Sequence, residues 1–95
     1  MADAQLPPGW TLPQIRDVSG EQEAGALGTD RAVKWVASDG ADEVVHPEII
    51  LGEFSGLALV KPVQVDDWYM GDLHDDGSID CWAIYDDLER ALRGL

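Results

Sequence analysis

The sequence predicts an α+β fold: a small antiparallel sheet of three to five strands, a C-terminal helix packed on one face, and room for a short N-terminal helix. Three observations predict it. Two alternating runs, Trp68 to His74 and Ile79 to Tyr85, flank Asp75-Asp76-Gly77-Ser78, and an Asp-Gly pair supplies the positive φ of a tight hairpin turn. After them comes a helix signature, with Asp86 as N-cap, Glu89 as its capping-box partner and Leu88, Ala91, Leu92 and Leu95 as one apolar stripe. Finally, 95 residues with 45% hydrophobic content are enough for one core and too few for two.

Residues 1 to 9 hold two prolines, a glycine and one leucine, so they read as a mobile leader ahead of a single domain spanning residues 10 to 95. Leu12, Ile15 and Val18 recur at three-residue spacing behind Thr11, which allows a short helix ending near Gly20. The stretch from Glu21 to Asp30 has no periodicity and reads as a surface loop. Arg31 to Ala37 alternates as a strand, with Val33, Trp35 and Ala37 on one face and Ala32, Lys34 and Val36 on the other, before the turn residues Ser38-Asp39-Gly40.

Residues 43 to 54 fit two structures. Pro47 can open a helix through PEIILGEF, yet Val44, Val45, Ile49 and Ile50 suit a strand equally well. After Gly56, LALVKPVQV is a strand in which Pro62 lacks a ladder donor, so the expected place is a sheet margin or a bulge. In the hairpin, a two-residue Asp76-Gly77 loop sets His74 opposite Ile79, Asp72 opposite Cys81, Met70 opposite Ala83 and Trp68 opposite Tyr85. Both faces are then apolar, with Trp68, Met70, Ile79, Cys81, Ala83 and Tyr85 on one and Tyr69, Leu73, Trp82 and Ile84 on the other. One face should receive the helix, and the other needs a second cover.

Chemistry-bearing patterns are few. Residues 72 to 83, DLHDDGSIDCWA, resemble a calcium-binding loop in part, but His74 and Ala83 stand where oxygen ligands belong. Asp66-Asp67, Asp75-Asp76 and Asp86-Asp87 are adjacent pairs in turns, too solvated for one member to hold a proton near neutrality. His46, His74 and Cys81 show neither metal-ligand spacing nor a nucleophile–base pattern. The expectation is therefore no catalytic turnover, no cofactor and no metal. A lone cysteine, no secretory start and no run of about 20 apolar residues point to a soluble cytoplasmic protein without a membrane role.

Charge is the most informative feature. Six Lys and Arg stand against nineteen Asp and Glu, for a formal net charge of −13, which opposes direct contact with nucleic acid. Between Lys61 and Arg90 there is no basic residue, while Asp66, Asp67, Asp72, Asp75, Asp76, Asp80, Asp86, Asp87 and Glu89 all fall there. Crowding of one sign costs stability through self-repulsion, and a basic partner surface would compensate it. The expected site is thus the eight aspartates of that window, with Trp68, Tyr69 or Trp82 as an apolar anchor where exposed.

The partner would be a basic protein, a nuclease or another nucleic-acid-binding effector, held and inhibited by stoichiometric contact. In size and charge the chain resembles two general classes: phage-encoded inhibitors of host defence nucleases, anti-CRISPR proteins and nucleic-acid mimics among them, and immunity proteins that neutralise nuclease toxins. The competing reading is a binding or regulatory module, a homodimer through the second face of the hairpin, whose acidity serves only solubility.

Overall fold

A computed structural model describes residues 6–36, 40 and 42–95. Helix α1 (Leu12–Ser19) is followed by strands β1 (Gly25–Leu27), β2 (Val33–Trp35), β3 (Glu43–Val44), β4 (Pro47–Phe54), β5 (Leu57–Pro62), β6 (Trp68–Leu73) and β7 (Ile79–Tyr85), and then by helix α2 (Leu88–Arg93). All seven strands join one sheet in the order β1-β4-β5-β6-β7-β2-β3. Neighbours are antiparallel except β2 and β7, which run parallel. The expected fold of three to five antiparallel strands under a C-terminal helix is therefore corrected: the chain is mostly sheet, a seven-stranded mixed half-barrel with two short helices.

The curl has local causes. Edge strand β3 is joined to β4, on the far side of the strand order, by Val45 and His46 alone. So short a link requires the sheet to bend until those strands approach. The Val45 N–H donates to the Val33 carbonyl at 2.9 Å, and the Val63 N–H donates to the His46 carbonyl at 2.8 Å, fastening the link on both sides. Register shifts interrupt the β4–β5 ladder between Pro47 and Ile49 and between Leu51 and Phe54, and the β6–β7 ladder at Met70/Gly71. Each such bulge bends its strand and increases the local twist.

Two cores result. On the outer face, Leu51, Phe54, Leu59, Trp68 and Met70 pack with Ile15 of α1 and Leu88, Ala91 and Leu92 of α2. Inside the curl lie Val33, Val45, Ile50, Ala58, Val60, Ile79 and Cys81. These inner side chains are smaller, as a concave wall requires at close packing. The second cover that the two-sided hairpin demanded is thus the sheet itself.

Local chemistry explains the elements. Thr11 caps α1 through a capping box: the Gln14 N–H donates to Thr11 Oγ1 at 3.4 Å and the Thr11 N–H donates to Gln14 Oε1 at 2.8 Å. Gly20 ends the helix at φ 77°. For α2 the N-cap is Asp87, whose Oδ1 accepts from the Arg90 N–H at 2.8 Å, rather than the expected Asp86, and Glu89 closes no capping box. The ambiguous segment 43–54 is strand throughout, with Pro47 opening β4.

Two further expectations are corrected. The loop over residues 21–30 contains β1, which pairs with β4 and sets Leu27 above Gly52. Strand β5 lies inside the sheet between β4 and β6, not at its margin, whereas the alternative of a bulge at Pro62 holds, the register shifting between Pro47 and Ile49 beside it. Pro62 is its last residue and faces Pro47, so two residues without N–H groups oppose each other where the ladder ends. Of the expected leader, residues 1–5 lie outside the described residues, and Pro7 is buried, its carbonyl accepting from the Trp10 N–H at 3.1 Å. Ala37, Ser38 and Asp39 also lie outside the described residues.

The β6–β7 register differs from expectation in an instructive way. Near the tip Leu73 faces Ile79 and Gly71 faces Cys81, one residue off the expected pairs, whereas Met70 faces Ala83 and Trp68 faces Tyr85 as expected. The turn holds one residue more than a two-residue loop: the Gly77 N–H donates to the His74 carbonyl and the His74 N–H donates to the Ser78 carbonyl, both at 2.9 Å, with Gly77 at φ 90°. Trp82 is the compensating extra residue. The bulge therefore moves Ile79 and Cys81 from the outer face, where strict alternation puts them, to the inner core.

Gly71 makes this bulge possible, because a Cβ there would overlap the Asp80 carbonyl and the Cys81 Cα. Gly71→Ala is expected to destabilise the protein by about 1–3 kcal/mol or more, as overpacking against rigid backbone does. Gly25→Ala, with no heavy atom within 4 Å of the added methyl, should leave the urea midpoint nearly unchanged. Equal midpoints for the two variants would exclude the bulge as a fixed feature.

Candidate functional site

The hairpin does not hold its acidic residues in one row. Asp72, Asp75, Asp76 and Asp80 gather at the tip, and Asp66, Asp67, Asp86 and Asp87 gather at the opposite end, where Trp68 faces Tyr85. The six residues of β6 separate the groups by roughly 17–20 Å at ordinary strand rise. The site drawn from sequence is therefore two acidic clusters at the ends of one two-stranded ribbon.

Several of these carboxylates have internal partners. At the base, Arg90 Nε lies 3.5 Å from Asp86 and 3.6 Å from Asp87, and Arg93 Nε lies 3.2 Å from Glu89. These pairs are exposed and contribute little to stability. At the tip, Asp80 reaches His74 Nε2 at 2.9 Å and Lys34 Nζ at 3.9 Å. Asp66, Asp67, Asp72, Asp75 and Asp76 have no lysine or arginine partner among the described residues.

The tip is ordered by its own chemistry. Asp76 Oδ1 accepts from the Ser78 N–H at 2.9 Å and from the Ser78 hydroxyl at 2.6 Å, and these bonds hold the Asp76 carboxyl below its usual range. Arg31 Nη1 donates to the Gly77 carbonyl at 3.1 Å while its Nε donates to the Gly28 carbonyl at 2.8 Å, tying the turn to the segment before β2. The Asp80 carboxylate raises the affinity of His74 for its proton, with Asp76 and Asp72 adding to the effect.

The expected anchors separate. Trp68 is 5% exposed and belongs to the outer core, so it cannot meet a partner. Tyr69 is half-buried on the inner face, its ring tilted against Trp35 at 5.4 Å. Trp82, thrown out by the bulge, is 47% exposed. Cys81 is fully buried, and burial pushes its thiol up to about 12, which leaves it without thiolate character near neutrality.

One feature escaped the sequence. At the mouth of the half-barrel, Trp35, Val44, His46, Val63, Tyr69 and Ile84 line an open cleft of about 400 Å³. Ile84 and Tyr69 are cross-strand partners that the hairpin register already paired, but Trp35, Val44 and Val63 join them only through the curl. Among the described residues no group of three or more His, Cys, Asp or Glu side chains is arranged to hold a metal ion, and no helix is long and apolar enough to cross a membrane.

The His74–Asp80 pair carries a pH dependence. A raised folded-state pKa stabilises the fold fully below the ordinary value of 6.5, and the contribution fades as pH rises through the folded value. The imidazole titration followed by NMR should accordingly shift downward in Asp80→Asn, and His74→Asn should lower the urea midpoint at pH 5 more than at pH 8. An unmoved titration in Asp80→Asn would exclude the pairing. Compared with known proteins, the chain matches no family model, no curated protein and no solved structure.

Proposed function

We propose that this chain is a small acidic binding protein that inhibits a basic, nucleic-acid-handling protein by stoichiometric contact, without catalytic turnover. The observation that carries this reading is the set Asp66, Asp67, Asp72, Asp75 and Asp76, without a lysine or arginine partner among the described residues, on the two ends of one ordered hairpin. Aspartates held in this way keep like charges close, and their mutual repulsion is relieved when a cationic surface arrives. Two clusters about one strand length apart suit two basic patches flanking a groove better than they suit an unbroken phosphate-like row.

The alternative reading as a dimeric module rested on an uncovered second face of the hairpin. Tyr69 and Leu73 of that face pack against the inner core of the curled sheet. Trp82 and Ile84 remain outside, and both are available to a partner of another kind.

Capture from a host lysate tests the proposal. The tagged protein should retain a basic nucleic-acid-binding protein in one-to-one proportion, and added DNA or RNA should displace it. A variant carrying Asp72→Lys, Asp75→Lys and Asp76→Lys should associate at least about tenfold more slowly at low salt, the difference shrinking as screening grows. Retention indifferent both to nucleic acid and to charge reversal would overturn the reading.

A further inference from the structure

The inner face of the half-barrel borders two open clefts, one beside Val33, Val45 and Ile79 and one at the mouth. Val44 is 76% exposed, Ile84 51% and Val63 46%, all bordering the cleft that Trp35 and Tyr69 floor. Such branched aliphatic side chains standing together at a rim are a desolvation surface without a partner among the described residues. A small-molecule pocket encloses most of its ligand, whereas here much of the apolar surface stands on the rim, which suits a protruding side chain of a larger partner.

Acidic residues adjoin the cleft. Glu43 lines it, Asp66 and Asp67 directly follow the lining residue Val65 in sequence, and Asp86, which pairs with Arg90, lies two positions beyond Ile84. In an isologous contact a second copy would bring the same carboxylates against these, so like charge opposes self-association through the mouth. A cationic segment faces no such opposition.

We propose that the open mouth of the half-barrel, between Trp35, Val44, Val63, Tyr69 and Ile84, seats one large apolar side chain of a partner protein segment whose flanking lysines or arginines meet Glu43, Asp66, Asp67 and Asp86. This rests on the reading of the chain as a binder of basic proteins and gives that reading its anchor. The charged clusters supply attraction and orientation, and the cleft supplies the desolvated contact that slows release.

The test uses a lysine-rich peptide with a single central leucine and a counterpart with serine in that place, titrated into the full chain at low ionic strength and followed by NMR. The leucine peptide should bind about tenfold or more tighter, with the largest shifts at the Trp35 indole and the Ile84 and Val63 methyls. Ile84→Ser combined with Val63→Ser, both at exposed positions, should leave the fold's spectrum intact and bring the two peptides to equal affinity. Equal affinity in the unaltered chain, with shifts confined to Asp75 and Asp76, would overturn the mouth as an anchor while sparing the acidic-binder reading. Binding by neither peptide would overturn both, and a concentration-dependent dimer contacting through Ile84 in sedimentation would replace the proposed occupant with a second copy.

Discussion

The two-residue link of Val45 and His46 is the constraint on which the architecture depends. It joins strands that lie far apart in the sheet order, so a flat sheet is excluded before any side chain is packed. Curling then decides what each face can hold. The outer face spreads and accepts Phe54, Trp68, Met70 and two helices, while the inner face narrows and accepts Ala58, Cys81 and valines. Hydrophobic burial on both sides of one layer lets a chain of this length dispense with disulfides.

Elements with their own turn, capping or alternation signal were legible, β2 among them although its partner β7 is distant; β1 and the strand character of β4 were not. The hairpin, the terminal helix and the helix over Leu12–Ser19 each carry their own turn or capping chemistry, and a reader of residues finds them. β1 is three residues long and exists because β4 offers an edge to Gly25, Ala26 and Leu27, a contact spanning more than twenty positions. Residues 43–54 were ambiguous because Pro47 suits a helix start as well as a strand start, and tertiary pairing with β5 resolves it.

The hairpin register illustrates a subtler limit. Uninterrupted alternation predicts one register throughout, yet the turn holds one residue more and Trp82 adds another on β7, so the two departures cancel beyond Met70. Only the segment between them is inverted. There the inversion carries Ile79 and Cys81 into the inner core and leaves Trp82 in solvent. Gly71 was the available signal, since a glycine inside an otherwise well-patterned strand marks a bulge or a close backbone approach. The acidic site was legible as composition, but its division into two clusters required knowing that both ends of the ribbon are free.

That division links charge to the cleft. Asp75 and Asp76 at the tip stand exposed in the turn, and the carboxylates at the base follow Val65 and Ile84, which line an open cleft of the inner face. A binding surface needs both ingredients in reach of each other: long-range attraction falls off within about a Debye length, and short-range desolvation acts only on contact. The base of the hairpin offers both within one mouth, and near the tip Ser78, Ile79 and Asp80 border a second cleft with Val33, Val45 and Pro47. Under the proposed reading, the aspartates without a lysine or arginine partner would set how fast a basic partner arrives, and contact at the mouth how long it stays.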